Sequence, residues 1–411
     1  MRIVFGLCFW VFVSAMAFPR PCAGQRLVVY VLAGQSNMEG HAKVTTFDYL
    51  ADDPGTVPLL ERMRTKDGAP VVRDDVFIAY RTGADGAEVM GRLTTGFGAR
   101  RDPAKSDDKI GPEFTFGIEM GDAHEAPVLI IKTAWGGKSL HTDFRPPSAG
   151  AYEFSKEQLA RLEKQAKNQN KDIEELRRAK EEATGRYYRD MVAYVRKVLA
   201  DLPRYCPDHD PADGYELRGF VWFQGWNDMV DRDTYPLRDQ PGGYAEYTKC
   251  LAHFIRDVRR DFETPDLPFV IGVMGVGGEI TDPKREAVQL NFRKAMAQAA
   301  ALSSLRNVIA VETAPFWEEP LEAISEKLDR VRQFERMLRT KNPGFPNADG
   351  SMDAKAQQAA VAKFRSDLLS DEEERTWLRG ASNGGYHYLG CAKTMARIGL
   401  AFAKALELES R

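Results

Sequence analysis

Histidine and cysteine are scarce in this chain: 6 His and 5 Cys among 411 residues. No two cysteines stand in C-x-x-C spacing, so a zinc knuckle is excluded. There is no surplus of positive charge either. Lys and Arg number 57 against 60 Asp and Glu, a net charge of −3, so nothing electrostatic favours a phosphate backbone and nucleic acid is not an expected partner. Long apolar runs are also missing. The N-terminal stretch Ile3 to Phe12 is strongly apolar but too short to span a bilayer comfortably, and Pro19, Arg20 and Pro21 soon follow it. With Arg2 before it and Ala15-Met16-Ala17 after it, this stretch reads as a signal peptide, residues 1–17. The mature chain then starts near Phe18, without a membrane span, in a secreted or periplasmic setting. Internal repeats and low-complexity tracts are absent.

What remains is an ordinary globular composition, 43% hydrophobic and 28% charged, with a packed core expected. Cys8 leaves with the signal. Cys22, Cys206, Cys250 and Cys391 stay, and either two disulfides or buried free thiols account for them. Five apolar runs read as strands: Leu27 to Leu32, Val128 to Lys132, Gly219 to Phe223, Phe269 to Val273 and Asn307 to Val311. Most lack polar alternation, the mark of parallel strands covered on both faces. Tyr188, Val192, Val195 and Leu199 share one helix face, as do Met395, Ile398, Phe402 and Leu406. Strands alternating with helices specify an α/β fold, a three-layer α/β/α sandwich around a mostly parallel five-stranded sheet. Residues 18–411 form one domain. Two charge-rich helical segments read as insertions, at about 152–187 and 318–379. Asn347, Asp349 and Gly350 echo a calcium loop, but the first and twelfth ligand positions are Phe345 and Ala356, so no metal is expected there. Asp208-His209-Asp210 reads as a solvated turn between prolines.

Four segments carry chemistry. The first strand runs into Gly34-Gln35-Ser36-Asn37-Met38, which sets a serine on the turn at a strand's carboxyl end, where ligands of open α/β sheets bind. The competing role for Ser36 is to cap the helix that follows. The second strand ends in Trp135-Gly136-Gly137-Lys138-Ser139, a turn able to present backbone N–H groups. The third ends in Trp222-Phe223-Gln224-Gly225-Trp226-Asn227-Asp228, where the Gln224 amide is a candidate oxyanion donor. The last, Gly384-Gly385-Tyr386-His387, places a candidate general base just before the C-terminal helix.

In this order, the Gly-Gln-Ser-Asn-Met, Gly-Gly-x-Ser and Trp-x-Gln-Gly runs resemble the SGNH-hydrolase superfamily, with its flavodoxin-like sheet. Within it the likeness is to the sialate O-acetylesterase branch with the family 6 carbohydrate esterases. The resemblance implies a serine esterase that removes O-acetyl groups from a carbohydrate, without metal or organic cofactor. It implies Ser36 as nucleophile and His387 as base. The oxyanion donors would be the N–H of Ser36, that of Gly136 or Gly137, and Gln224. One departure stands out. Related enzymes carry an Asp three residues before the histidine, and here that position is Gly384. Glu312, Asp228, Glu318 and Glu319 are the alternative acids. Gln35, Asn37, Glu113, His141 and Trp226 are the expected substrate contacts, with His41 also near the pocket. Two other functions fit the same motifs: a glycan-binding protein impaired by the missing Asp, and an esterase of non-carbohydrate esters.

Overall fold

The computed structural model describes residues 24–82, 87–99 and 108–409. The expected signal peptide, Cys8 and Cys22 lie outside them.

Among the described residues, nine strands form two sheets. They are β1 (Leu27–Gly34), β2 (Ala42–Lys43), β3 (Val76–Arg81), β4 (Glu88–Arg92), β5 (Lys109–Ile110), β6 (Val128–Ala134), β7 (Tyr215–Phe223), β8 (Phe269–Val273) and β9 (Val308–Glu312). The main sheet has seven strands in the order β4-β3-β6-β1-β7-β8-β9, and β2 pairs with β5 apart from it. All neighbours in the main sheet are parallel except β4, which is antiparallel to β3 at the edge. The five expected strands are all present, and the count of five is corrected to seven. β3 is a further buried apolar run. β4 is a half-exposed edge strand with no regular apolar pattern.

β1 lies in the middle, and its alternating side chains build two cores. Leu27, Val29 and Val31 face one side, with Tyr188, Met191, Phe254 and Phe292 from the helices Arg186–Ala200, Ala245–Asp261 and Ala287–Gln298. Val28, Tyr30 and Leu32 face the other, with Phe114, Ile118, Met395 and Phe402 from the helices Glu113–Ala123 and Ala392–Glu409. The sheet is thus covered on both faces, as its apolar strands require.

This strand order fixes the site. From β1 the chain crosses to β3, returns to fill the gap with β6, then passes to the far side of β1 with β7. The reversal leaves a crevice beyond the carboxyl ends of β6, β1 and β7.

The first charge-rich segment forms two helices, Lys156–Gln169 and Ile173–Ala183, separated where Asn170 adopts a left-handed φ of 50°. Within these two helices only Ala166 is buried. The second segment forms the helices Glu319–Arg339, Ala354–Leu368 and Asp371–Gly380. A small cluster of Ile324, Leu328, Val331 and Leu369 holds it together. Cys206, Cys250 and Cys391 are buried free thiols, raised by burial to about 12, 12 and 11. Asp208 pairs with Arg92 and His209 bonds the Gly214 carbonyl, which gives that turn structural work. Among the described residues no helix is long and apolar enough to cross a membrane.

Candidate active site

Gly34 closes β1 where the chain passes hard against β7. A Cβ there would lie 2.1 Å from the Phe223 carbonyl oxygen, so only glycine fits. Gln35 follows with its side chain buried, and its Oε1 accepts from Gln224 Nε2 (3.1 Å) and the Gly225 N–H (3.2 Å). The turns after β1 and β7 are thereby tied together. Ser36 is the first residue of the short helix Ser36–Glu39, whose N-cap is Gln35 with no side-chain cap. The capping role for Ser36 therefore falls away. From β6, Lys132 Nζ donates to the Glu39 carbonyl at 2.8 Å, which anchors the far end of that helix.

The turn after β6 brings backbone up to Ser36. A Cβ on Gly136 would lie 3.6 Å from Ser36 Cβ and 3.0 Å from Glu39 Oε2, so a side chain there would fill the space beside the serine. This turn is held by Asp228, which is fully buried. Its Oδ2 accepts from the Leu140 N–H (2.7 Å) and Gln224 Nε2 (2.6 Å), its Oδ1 from the His141 N–H (3.1 Å) and the Tyr235 hydroxyl (3.1 Å). Burial pushes the Asp228 carboxyl up to about 6, with these four donors pulling it back down. An amide in its place cannot accept on both sides. Asp228→Asn should cost about 1–3 kcal/mol, measured by denaturant unfolding. Turnover should fall with it, because residues 136–141 lose their anchor. Unchanged stability would show that Asp228 holds nothing.

The last loop carries His387. Tyr388 and Leu389 follow with φ of 51° and 59°, a conformation that costs side-chain-bearing residues about 1–3 kcal/mol each. The loop is pinned in this shape. The Tyr388 hydroxyl accepts from the Gly275 N–H at 2.7 Å and lies 2.7 Å from Thr313 Oγ1, while the Ser382 and Asn383 N–H groups both donate to the Leu389 carbonyl. The fold brings Asn383 to the His387 ring, and one backbone bond fixes every proton there. The Gly384 N–H can only donate, and it meets Asn383 Oδ1 at 2.8 Å. That oxygen also accepts from His387 Nδ1 at 3.0 Å, so Nδ1 bears the proton and Nε2 keeps its lone pair. Asn383 Nδ2 then donates to His41 Nδ1 at 3.4 Å, which leaves the His41 proton on Nε2.

These segments surround one cavity of about 1090 Å³, lined by Ser36, Gly136, Gly137, Asn227, Asn383 and His387. Trp135, Tyr187, Trp226 and Tyr386 form aromatic walls, and Glu39, His41, Lys109 and Lys138 supply charge and polarity.

Several expected residues lie elsewhere. Gln224 is not in the lining. Its Nε2 is bonded to Asp228, Gln35 and the Lys138 carbonyl, and its Oε1 accepts from the Tyr247 hydroxyl, so it knots three turns beneath the floor. Gln35 and Asn37 are buried rather than facing the cavity. Glu113 is 0% exposed and pairs with Lys132 at 2.8 Å, so it is no substrate contact. His141 packs edge-on against Tyr152 and Tyr235, away from the cavity, and burial pulls it down to about 4. None of the four expected acids holds the His387 Nδ1 position, which belongs to Asn383. Asp228 anchors the Gly136 side, Glu312 stands exposed at the end of β9, Glu318 accepts from Lys393 and Tyr49, and Glu319 is the exposed first residue of the helix Glu319–Arg339. Asn383, Asn227 and Lys132 were not singled out from the sequence. For Lys132 the signal was there, since a lysine inside a strand covered on both faces requires a buried partner.

No curated protein matches the chain. Among solved structures, a protein from Arabidopsis thaliana aligns at 14% identity over 93% of this chain and 98% of its own, with a TM-score of 0.42. A carbohydrate acetylesterase from Xanthomonas citri aligns at 14% identity over 69% of this chain and 49% of its own, with a TM-score of 0.37. Neither overlap is deep enough to carry an argument. The family match is of another order. The family described as "Carbohydrate esterase, sialic acid-specific acetylesterase" matches residues 26–319, which hold Ser36, Gly136, Gly137 and Gln224 but end before His387. The chain belongs to this family of carbohydrate esterases.

Proposed function

We propose that the protein is a secreted or periplasmic serine esterase, matured by loss of residues 1–17, that hydrolyses O-acetyl esters of a carbohydrate. One observation carries the reading. Ser36, the Gly136-Gly137 turn and His387, whose Nδ1 proton is held by Asn383 Oδ1, line a single cavity. Ser36 Oγ attacks the acetyl carbonyl carbon while its proton passes to His387 Nε2. The resulting oxyanion is met by the N–H groups of Ser36 and of Gly136 or Gly137. Asn227 in the lining takes the side-chain place first expected of Gln224. The C–O bond to the sugar then breaks and His387 gives the proton to the leaving sugar oxygen. Water attacks the acetyl-serine with its proton passing to His387, and acetate leaves as Ser36 Oγ recovers that proton. Asn383 keeps His387 in the working tautomer. Trp226 and Tyr386, with ring centroids 6.0 Å apart, offer faces to a sugar ring. The lysines and asparagines of the lining suit a polar alcohol portion better than a long acyl chain.

Acetate release from an aryl acetate and from acetylated glycans tests this. Turnover of both is expected. Glycan binding with no turnover of any ester would make the protein a binding module. Turnover of long-chain esters alone would remove the carbohydrate.

A further inference from the structure

The mechanism above leaves His41 unused. It follows the Ser36 helix, is buried, and lies face to face on His387, with ring centroids 3.8 Å apart and planes 4° from parallel. A face-to-face sandwich is a poor arrangement for two neutral rings, whose quadrupoles repel. It becomes attractive when one ring is a cation over the face of the other. The hydrogen bonds say which ring is which. His41 Nδ1 accepts from Asn383, so His41 is the uncharged ring, with its Nε2 3.8 Å from Glu39 Oε2. His387 is the ring that gains a second proton, on Nε2, when Ser36 attacks. The Asn383 side chain, itself uncharged, clamps both rings through their Nδ1 atoms.

Resting on the reading of His387 as the base, we infer that His41 is a positioning residue of the reaction. Its ring face stabilises the His387 imidazolium, and through Asn383 it shares the tether that orients that ring. The stack supplies part of what an aspartate supplies in a Ser-His-Asp triad. Glu39 lies against His41 and the Tyr386 ring against His387, and Tyr80, Lys109, Lys138 and Tyr187 are the other titratable groups that share the cavity lining with the pair.

The test is the pH profile of kcat/KM for an aryl acetate, whose acid limb reports the base in the free enzyme. His41→Ala should lower kcat about ten-fold with KM little changed. Its acid limb should move to lower pH, because a less stabilised imidazolium gives up its proton more readily. His41→Phe keeps a ring face and should bring the limb back toward the wild-type position. If His41→Ala does not fold, His41→Phe compared with His41→Leu reads the same shift between two side chains that fill the space. An acid limb that stays in place without the ring, or a Phe variant no closer to wild type than Ala or Leu, overturns the inference. A fully active His387→Ala would place the failure in the assignment of the base instead.

Discussion

Ser36→Ala should reduce acetate release by about 10⁴-fold or more while leaving the protein as stable as wild type. The loss is large because the bond-forming atom is removed, and a residual rate over water survives through the oxyanion donors and binding alone. The stability expectation follows from the local structure. Gln35 is the N-cap of the Ser36 helix, Gly40 donates its N–H to the Ser36 carbonyl, and Lys132 holds the Glu39 carbonyl, so among the described residues no bond that fixes the turn uses the Ser36 hydroxyl. Alanine also has a better helix propensity than serine. The unfolding midpoint should therefore stay within the range of a neutral substitution while kcat collapses, with KM for an aryl acetate little changed. A variant retaining a tenth or more of wild-type kcat would dismiss Ser36 as the nucleophile. An equal fall in stability and activity would mean that the serine is structural.

The parts of the fold legible in the sequence are those whose burial is uniform. β1, β6, β8 and the second half of β7 read as continuous apolar runs because helices cover both of their faces, and β9 reads the same way although it is only half-buried. β3 carries the same signal in Val76 to Tyr80. β4 does not, since an antiparallel edge strand with Met90 and Glu88 on half-exposed faces has neither continuity nor alternation. The site was legible where chemistry sits at a strand's carboxyl end, as with Ser36 and Gly136. It was not legible where a loop conformation makes the contact. Asn383 reaches His387 only because Tyr388 and Leu389 take left-handed φ values and fold the loop back on itself, which no apolar period announces. The His41 stack joins residues from opposite ends of the chain. Gln224 shows the converse. A donor at the right place in sequence is turned inward by an aspartate one helical turn later, at Asp228.

Lys132→Met should cost about 3–5 kcal/mol of stability, because it strands a fully buried carboxylate. Lys132 and Glu113 side chains are 0% and 1% exposed, and the ammonium meets three acceptors with its three protons: Glu113 Oε2 (2.8 Å), the Phe97 carbonyl (2.7 Å) and the Glu39 carbonyl (2.8 Å). Burial pulls the lysine down and pushes the glutamate up, and each partner offsets the other's desolvation. Removing both charges is a different experiment from removing one. In Lys132→Met with Glu113→Leu the carboxylate is gone, and much of the lost stability should return. Turnover should not return with it, since the Glu39 carbonyl loses the donor that fixes the end of the Ser36 helix, and a misplacement of about 1 Å can cost 10²-fold. Urea unfolding and aryl acetate kinetics on the two variants separate the effects. A single variant that loses less than about 1 kcal/mol would show that the pair is not the buried anchor its geometry describes. A double variant with wild-type kcat would show that the Ser36 helix holds its place without Lys132, leaving the Gln35 ties and the backbone alone to position the serine.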